Sequence, residues 1–132
     1  MNTFKGTLKV YHTGDSYKVS QILALTKSDK FNTVAQNICD DPLSGTQLLT
    51  LCNKLHISVE ELVDKDSEIY KTSLKKSSFD DADWLQMLTA HPKLIKTPIV
   101  EKGNKVIIIK TPTDVLKLKD IDKAIDGHNH IK

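Results

Sequence analysis

Short apolar runs alternate with polar turns in the first part of the chain, and their spacing predicts strand, helix and strand in turn. Residues 7–12 form the first run and predict a β-strand, which the polar residues 13–16 end. Residues 31–39 predict a second strand. Between the strands, apolar residues recur at helical spacing from about Ser16 onward, at Val19, Ile22, Leu23 and Leu25. The chain therefore opens with a β-α-β unit.

The middle of the chain predicts helices. Ser44 precedes an apolar stripe and is a suitable N-cap. The stretch Ser58-Val59-Glu60-Glu61 has the spacing of a capping box, in which the serine hydroxyl accepts from the backbone of the second glutamate while that carboxylate reaches back. Residues 71–83 are rich in Ser, Lys and Asp and predict a solvent-exposed connection, after which an apolar stripe begins at Trp84.

Residues 94–112 predict a β-hairpin that organises the C-terminal half of the chain. Pro98 ends any preceding helix and cannot donate a hydrogen bond in a sheet, so a strand starts directly after it. A polar turn, Glu101-Lys102-Gly103-Asn104-Lys105, follows. Residues 106–109 are four β-branched apolar residues whose lack of alternation predicts burial on both faces. Thr111-Pro112 then predicts a closing helix with the threonine as its N-cap.

Length and charge narrow the class of protein. The 132 residues suffice for one domain with its own core, which we expect over residues 1–125, followed by a flexible tail over residues 126–132. The net charge is +2 and the lysines are scattered among acidic residues, so we expect no direct nucleic-acid binding. The sequence contains no long apolar run and no signal pattern, so we expect a cytoplasmic protein without membrane attachment.

The basic residues are of one kind. All nineteen are lysine, and the sequence contains no arginine. A lysine ammonium is a point charge, whereas the guanidinium of arginine forms the planar, bidentate contacts that oxyanion sites commonly use. The sequence therefore lacks the residue type that such sites usually depend on.

Four ordered blocks in the second half resemble the ArsC/Spx/YffB family, the bacterial arsenate reductase-like and glutaredoxin-like branch of the thioredoxin fold. The resemblance covers about residues 8–121. It implies an α/β, thioredoxin-like domain with a mixed four-stranded sheet flanked by helices and a helical insertion in the middle of the chain. It also implies that Pro98 is a cis-proline facing the N-terminus of the first helix. The blocks are Trp84-Leu85-Gln86-Met87-Leu88, His91-Pro92-Lys93-Leu94-Ile95, Thr97-Pro98-Ile99-Val100 and Pro112-Thr113-Asp114-Val115-Leu116.

The resemblance also implies where a catalytic cysteine would lie. Family enzymes place it after the first strand, in a motif resembling Tyr-His-Asn-Pro-x-Cys, and the same place here is Tyr11-His12-Thr13-Gly14-Asp15-Ser16. A helix N-terminus activates a thiol by lowering its pKa, whereas a hydroxyl stays protonated and cannot cycle through a disulfide. We expect Ser16 to cap the helix. The alternative, a serine nucleophile, would require His12 as its base.

The oxyanion-binding arginines of the family's arsenate reductases are missing as well. By the resemblance, their three positions are Asp64, Thr97 and Thr111. A carboxylate repels a doubly charged oxyanion, and two hydroxyls do not replace charge-assisted hydrogen bonds. Together with Ser16, these positions predict a degenerate active site, and hence a pseudoenzyme instead of an arsenate reductase.

Two cysteines remain as alternative thiols. Cys39 and Cys52 lie far apart in the predicted elements and do not form a Cys-x-x-Cys turn, so we expect both to pack as small apolar residues. The alternative is a relocated redox site that uses one of them. The tail histidines His128 and His130 form a weak ligand set, and we expect no metal site.

The leading hypothesis is a redox-inert binding or regulatory domain, as in the Spx branch, without a cofactor. Its partner would be a protein or peptide held at the edge of the cis-proline. The alternative is an arsenate reductase-like or glutaredoxin-like thiol oxidoreductase that uses Cys39 or Cys52 together with glutathione. A turn at Thr13-Gly14-Asp15 could hold a small anion, although capping of the helix by Asp15 and Ser16 is the favoured interpretation. The expected binding surface comprises Thr13, Gly14, Asp15, Ser16, Thr97 and Pro98.

Overall fold

The computed structural model describes residues 7–14, 16–28 and 32–115. The predicted tail and the part of the closing helix beyond residue 115 lie outside the described residues. None of the described helices is long and apolar enough to cross a membrane. The strands and helices are, in chain order, β1 (Thr7–His12), α1 (Tyr17–Ser28), β2 (Asn32–Asn37), α2 (Gly45–Leu55), α3 (Asp81–Ala90), β3 (Ile99–Lys102) and β4 (Lys105–Ile108).

The strands form one mixed sheet in the order β2-β1-β3-β4. β1 pairs with β2 in parallel and with β3 antiparallel, so that Val10 lies between Ala35 and Val100. β3 and β4 form an antiparallel hairpin. Helix α1 connects the two parallel strands, as a parallel pair requires. The α/β, thioredoxin-like architecture expected from the sequence is confirmed.

The hairpin is longer than its apolar residues predict. Glu101, Lys102 and Lys105 belong to the strands, and the turn consists of Gly103 and Asn104 alone. Gly103 has φ +58°, a left-handed conformation that glycine adopts without a steric penalty and that a two-residue hairpin turn requires. The polar residues were therefore wrongly assigned to the turn.

Two apolar clusters contain the buried residues of the two faces of the sheet. Val106 belongs to one cluster, whereas Ile109 belongs to the other. Ile107 and Ile108 are only half-buried, since β4 is an edge strand of the sheet. The run thus packs against apolar residues on both faces of the sheet, as predicted, but its two middle residues are less completely buried than expected.

The capping patterns in the middle of the chain are confirmed. The Ser44 side chain accepts from the backbone of Gln47, and the Gln47 side chain accepts from the backbone of Ser44. Ser58 and Glu61 exchange the same two bonds, at 3.1 and 3.3 Å, and begin a short 3₁₀ helix. The predicted connection over residues 71–83 is more ordered than expected, because a π-helical segment occupies Tyr70–Leu74 and α3 begins at Asp81.

Backbone hydrogen bonds bring the helical middle against the chain that leads into β3. The N–H of Asp64 donates to the carbonyl of Leu94 at 2.7 Å, and the N–H of Lys96 donates to the carbonyl of Leu62 at 2.9 Å. Between these bonds, Val63 and Ile95 form an isolated antiparallel bridge. The residues just before Thr97 are thereby fixed to the segment that carries Asp64.

The chain after β4 begins a 3₁₀ turn at Pro112–Val115. The carboxylate of Asp114 accepts from the backbone N–H groups of Lys110 and Thr111, at 2.9 and 3.0 Å. The Thr111 hydroxyl lies 3.4 Å from the Thr113 hydroxyl. Thr111 directly precedes the turn, as predicted for an N-cap, but the carboxylate of Asp114 bonds back to its N–H and no backbone N–H is bonded to its hydroxyl among the described residues.

Candidate functional site

An open cavity of about 330 Å³ lies between the β1–α1 loop and Pro98. It brings together five of the six residues of the predicted binding surface. The sixth, Asp15, lies outside the described residues. The lining residues are His12, Thr13, Gly14, Ser16, Lys18, Val19, Thr97 and Pro98.

Ser16 caps helix α1, as predicted. Its hydroxyl oxygen accepts from the N–H of Val19 at 3.1 Å, and its carbonyl accepts from the N–H of Ser20 at 3.0 Å. A side chain oxygen bonded three residues ahead is the usual geometry of an N-cap serine. The hydroxyl thus satisfies one of the otherwise unpaired amides at the start of the helix.

His12 is engaged with the loop. Its Nδ1 atom lies 3.0 Å from the backbone nitrogen of Gly14, which donates to it. Gly14 has φ +140°, a conformation that side-chain-bearing residues rarely adopt. No hydrogen bond joins His12 to Ser16 within the part of the chain that is described. The Ser–His nucleophile considered from the sequence is therefore not assembled in this structure.

Thr97 provides a free stretch of backbone at the edge of the cavity. The Thr97–Pro98 peptide bond is cis. The carbonyl of Pro98 accepts from the N–H of Ile109 at 2.8 Å, whereas no hydrogen bond from another described residue occupies the N–H or C=O of Thr97. Thr97 is half-buried and is one of the residues that line the first cavity.

Two more cavities continue from the first. A cavity of about 420 Å³ shares Lys18 and Thr97 with it and adds Lys96 and Lys110. A third cavity, of about 530 Å³, shares Lys96 with the second and is also lined by glutamates. The shared residues show that the second cavity adjoins both the first and the third, and we call the three together the groove. The second and third cavities also share Asp64 and Asp66, and the third adds Glu60 and Glu61.

The groove contains lysines that were not predicted as site residues. Lys96 and Lys110 directly precede Thr97 and Thr111, and Lys18 lies in the first turn of α1. The signal that could have found them is their position next to the expected arginine sites in a chain without arginine. Their charge is opposed by Asp64, whose carboxylate accepts from the N–H of Asp66 at 2.9 Å.

The two cysteines occupy different environments. Cys39 is exposed, and its thiol lies 3.7 Å from the carbonyl oxygen of Thr13, whose residue lines the first cavity. The expected apolar packing of Cys39 is therefore wrong, because the residue lies in the turn after β2. Cys52 is buried on α2, and burial, together with Asp81 and Glu61, raises the pKa of its thiol. Its packing role is confirmed.

Metal ligands are not clustered in this part of the protein. Over residues 7–14, 16–28 and 32–115, no group of three or more His, Cys, Asp or Glu side chains could hold a metal ion. His128 and His130 lie outside the described residues.

Comparison with known proteins identifies the family of the chain. A model of the ArsC family matches residues 3–118 of the chain. The chain belongs to the ArsC family. An arsenate reductase of Haemophilus influenzae is 26% identical over 111 residues, which are 83% of this chain and 96% of that protein.

Solved structures of the ArsC family have the same fold. A Yersinia pestis protein, solved as a candidate arsenate reductase, superposes with a TM-score of 0.77 at 27% identity, covering 83% of this chain and 98% of its own. An arsenate reductase from Vibrio cholerae gives a TM-score of 0.76 at 24% identity, covering 85% and 97%. The arsenate reductase-like character of this chain thus rests on the family match and on these relatives.

Proposed function

We propose that this ArsC-family protein is a catalytically silent binding domain that holds an extended segment of a protein partner in the groove. The observation that carries the proposal is the Ser16 hydroxyl, which caps α1 beside Thr97, whose backbone is bonded to no other described residue. The cavity at the cis-proline thus has a hydroxyl instead of a thiol at the helix N-terminus. No cofactor takes part.

The hydroxyl of Ser16 is unsuited to the reductive chemistry of a thiol. A thiolate forms a mixed disulfide or attacks an oxyanion, and then passes its electrons on through a disulfide. A serine oxygen cannot complete that cycle. It would also require a base for activation, and the Nδ1 atom of His12 is already bonded to Gly14.

Charge at the oxyanion positions supports the same conclusion. Asp64 lines the second and third cavities, where it repels a dianion. Thr97 and Thr111 offer neutral hydroxyls instead of guanidinium groups. The site is accordingly a poor match for arsenate.

The backbone of Thr97 is suited to an extended peptide. Since no residue in the described part of the chain bonds to its N–H or C=O, both groups could form the two bonds of an antiparallel pair with a passing chain. Peptides that add to a free edge gain affinity from such main-chain bonds and specificity from side-chain cavities on either side. The groove supplies those cavities.

The catalytic half of the proposal is tested by assays of arsenate and disulfide reduction, with glutathione and glutaredoxin and, separately, with thioredoxin. The arsenate reductase of Haemophilus influenzae is the positive control. We expect no turnover above that of a Cys39→Ser/Cys52→Ser double variant. Turnover in the wild type that disappears when either cysteine is replaced would overturn the proposal.

The binding half is tested with a displayed library of random nonapeptides, selected on the wild type and on Thr97→Arg. The arginine side chain fills the first cavity and should abolish enrichment. Thr50→Arg on the exposed face of α2 is the matched control and should leave enrichment unchanged. If peptides are not enriched, or are enriched equally on both variants, the groove is not a peptide site.

A second candidate function is favoured by the position of Cys39. Its exposed thiol lies 3.7 Å from the Thr13 carbonyl, and so beside the loop that forms the first cavity. From there it could act as a relocated thiol oxidoreductase that exchanges with glutathione. Burial excludes Cys52 from direct attack on a bound substrate.

Mass spectrometry distinguishes the two candidates. A relocated oxidoreductase should form a mixed disulfide between Cys39 and glutathione that thioredoxin or glutaredoxin reduces repeatedly, and Thr97→Arg should slow the cycle. A binding domain should show glutathionylation of Cys39 no faster than that of an introduced surface thiol, such as Ser78→Cys in an exposed loop.

A further inference from the structure

One end of the groove carries positive charge without an internal partner. Lys18 lines both the first and the second cavity, and Lys110 lines the second. Neither ammonium forms an ion pair within 4 Å with a carboxylate of the described residues, whereas Lys54 and Lys65 both do. Asp64 and Asp66 line the second cavity as well, but Lys18, Lys96 and Lys110 outnumber them. An anionic group beside Thr97 would therefore meet an excess of positive charge.

The other end carries an excess of carboxylates. Four acidic residues line the third cavity, against Lys65 and Lys96. Lys65 already pairs with Glu60 at 3.3 Å. The Asp66 side chain has no hydrogen bond or ion pair with another described residue. The acidic residues are Glu60, Glu61, Asp64 and Asp66.

We propose that the groove selects extended peptides in which an acidic residue lies beside the segment held by Thr97 and a basic residue follows at the end that meets Glu60 and Asp66. This inference rests on the proposed peptide-binding function. Complementary charges on the two partners fix the register of the bound chain and exclude wrong partners. The polarity of the groove thereby sets the direction of the peptide.

The distribution of charge disfavours a uniformly anionic ligand. A polyanion would gain at Lys18 and Lys110 but would be repelled where Glu60 and Glu61 line the groove. A uniformly basic chain would be attracted by the glutamates and repelled by the lysines. Only a chain that changes sign along its length is attracted at both ends.

The test uses the displayed nonapeptide library and reads the sequences that are enriched. On the wild type, Asp and Glu should be enriched at one position and Lys or Arg several positions away. On Lys18→Glu/Lys110→Glu the acidic preference should be lost. Lys75→Glu/Lys76→Glu, which replaces two exposed lysines outside the groove, is the charge-matched control and should retain it.

Synthetic peptides then measure the effect by fluorescence anisotropy. An enriched peptide should bind roughly tenfold more weakly to Lys18→Glu/Lys110→Glu than to Lys75→Glu/Lys76→Glu, with the difference shrinking at high salt. Asp66→Lys should lose the basic preference, whereas Glu68→Lys should keep it. A peptide with the acidic and basic residues exchanged should bind more weakly to the wild type.

The results distinguish failure of the charge preference from failure of peptide binding itself. Enrichment that depends on Thr97 but shows no charge preference would overturn this inference and leave peptide binding intact. An acidic preference that persists in Lys18→Glu/Lys110→Glu would also overturn it. If no peptide is enriched on the wild type and lost on Thr97→Arg, the proposed function itself is overturned. The inferred charge preference then falls as well.

Discussion

The ammonium of Lys54 lies 2.5 Å from Oε2 of Glu101, while the phenol of Tyr11 donates to Oε1 of the same carboxylate at 2.7 Å. Lys54 also donates to the carbonyl of Gly103 at 3.1 Å. These contacts tie α2 to β1 and to the hairpin turn. Burial raises the pKa of Glu101, but the hydrogen bonds from Lys54 and Tyr11 outweigh it, so the net pKa is lowered.

Replacing Glu101 by Gln should lower the free energy of unfolding by about 1–3 kcal/mol at neutral pH. Glutamine keeps an acceptor for Tyr11 but leaves the Lys54 ammonium, which is 26% exposed, without its counter-charge. Urea denaturation measures the loss. Glu60→Gln is the matched control: its partner is Lys65, both side chains are about half exposed, and the change should stay within about 0.5 kcal/mol.

The same pair gives a stability contribution that depends on pH. Because the pKa of Glu101 is lower in the folded than in the unfolded state, its contribution is present above the unfolded pKa of about 4.3 and is lost as pH falls through the folded value. Urea titrations between about pH 5 and pH 3 should therefore show a shallower decline for Glu101→Gln than for the wild type. Equal slopes would contradict the assignment.

Ser16→Cys should create a thiol with a pKa below the ordinary value of about 8.5, because its thiolate would accept the N–H of Val19 at the positive end of α1. The rate of alkylation by iodoacetamide against pH measures this, on a Cys39→Ser background. Ser78→Cys in the same background has no helix N-terminus and should titrate near the ordinary value. Identical profiles would show that the helix does not act on this position.

Gly14→Ala should destabilise the protein by about 1 kcal/mol or more, although nothing lies within 4 Å of the added methyl group. The cost is conformational, because φ +140° is unfavourable for alanine. Gly45→Ala at the start of α2 is the control, since its methyl group meets only Leu85 at 3.5 Å and alanine favours a helix. Thermal unfolding should show opposite signs for the two variants. A stable Gly14→Ala protein would contradict the loop geometry.

Only one of the two thiols should react in the native protein. Cys39 is exposed, whereas Cys52 is 2% exposed and its pKa is raised by burial. Titration with an aromatic disulfide reagent should give one rapid equivalent, which Cys39→Ser removes, and a second equivalent only in denaturant. Two rapid equivalents would contradict the packing of α2.

Much of the fold follows from local sequence signals. Capping at Ser44 and Ser58, and the strand that begins after Pro98, depend on residues near each other in the chain, so the pattern is sufficient to predict them. Where burial depends on the position of a strand in the sheet, the pattern fails. Ile107 and Ile108 resemble fully buried residues but lie on an edge strand.

The residues of the site that follow from the order of strands and helices along the chain could be predicted. Those that line the cavities only because of tertiary packing could not. Ser16, Thr97 and Pro98 meet as expected. Lys18 and Lys110 were missed, because tertiary packing determines which surface lysines line a groove. Cys39 was misjudged because cysteine is usually buried, whereas the turn after β2 leaves this one exposed.

The exclusive use of lysine has a consequence for how the groove can be controlled. Every cationic side chain in it is a primary amine, and acetylation removes the charge of an amine, whereas methylation of a guanidinium leaves the charge in place. Acylation of Lys18 and Lys110 would turn the basic end of the groove neutral without altering the fold. The same protein could then exist in two forms with different electrostatic preferences, interconverted by reversible chemistry on a few nitrogen atoms.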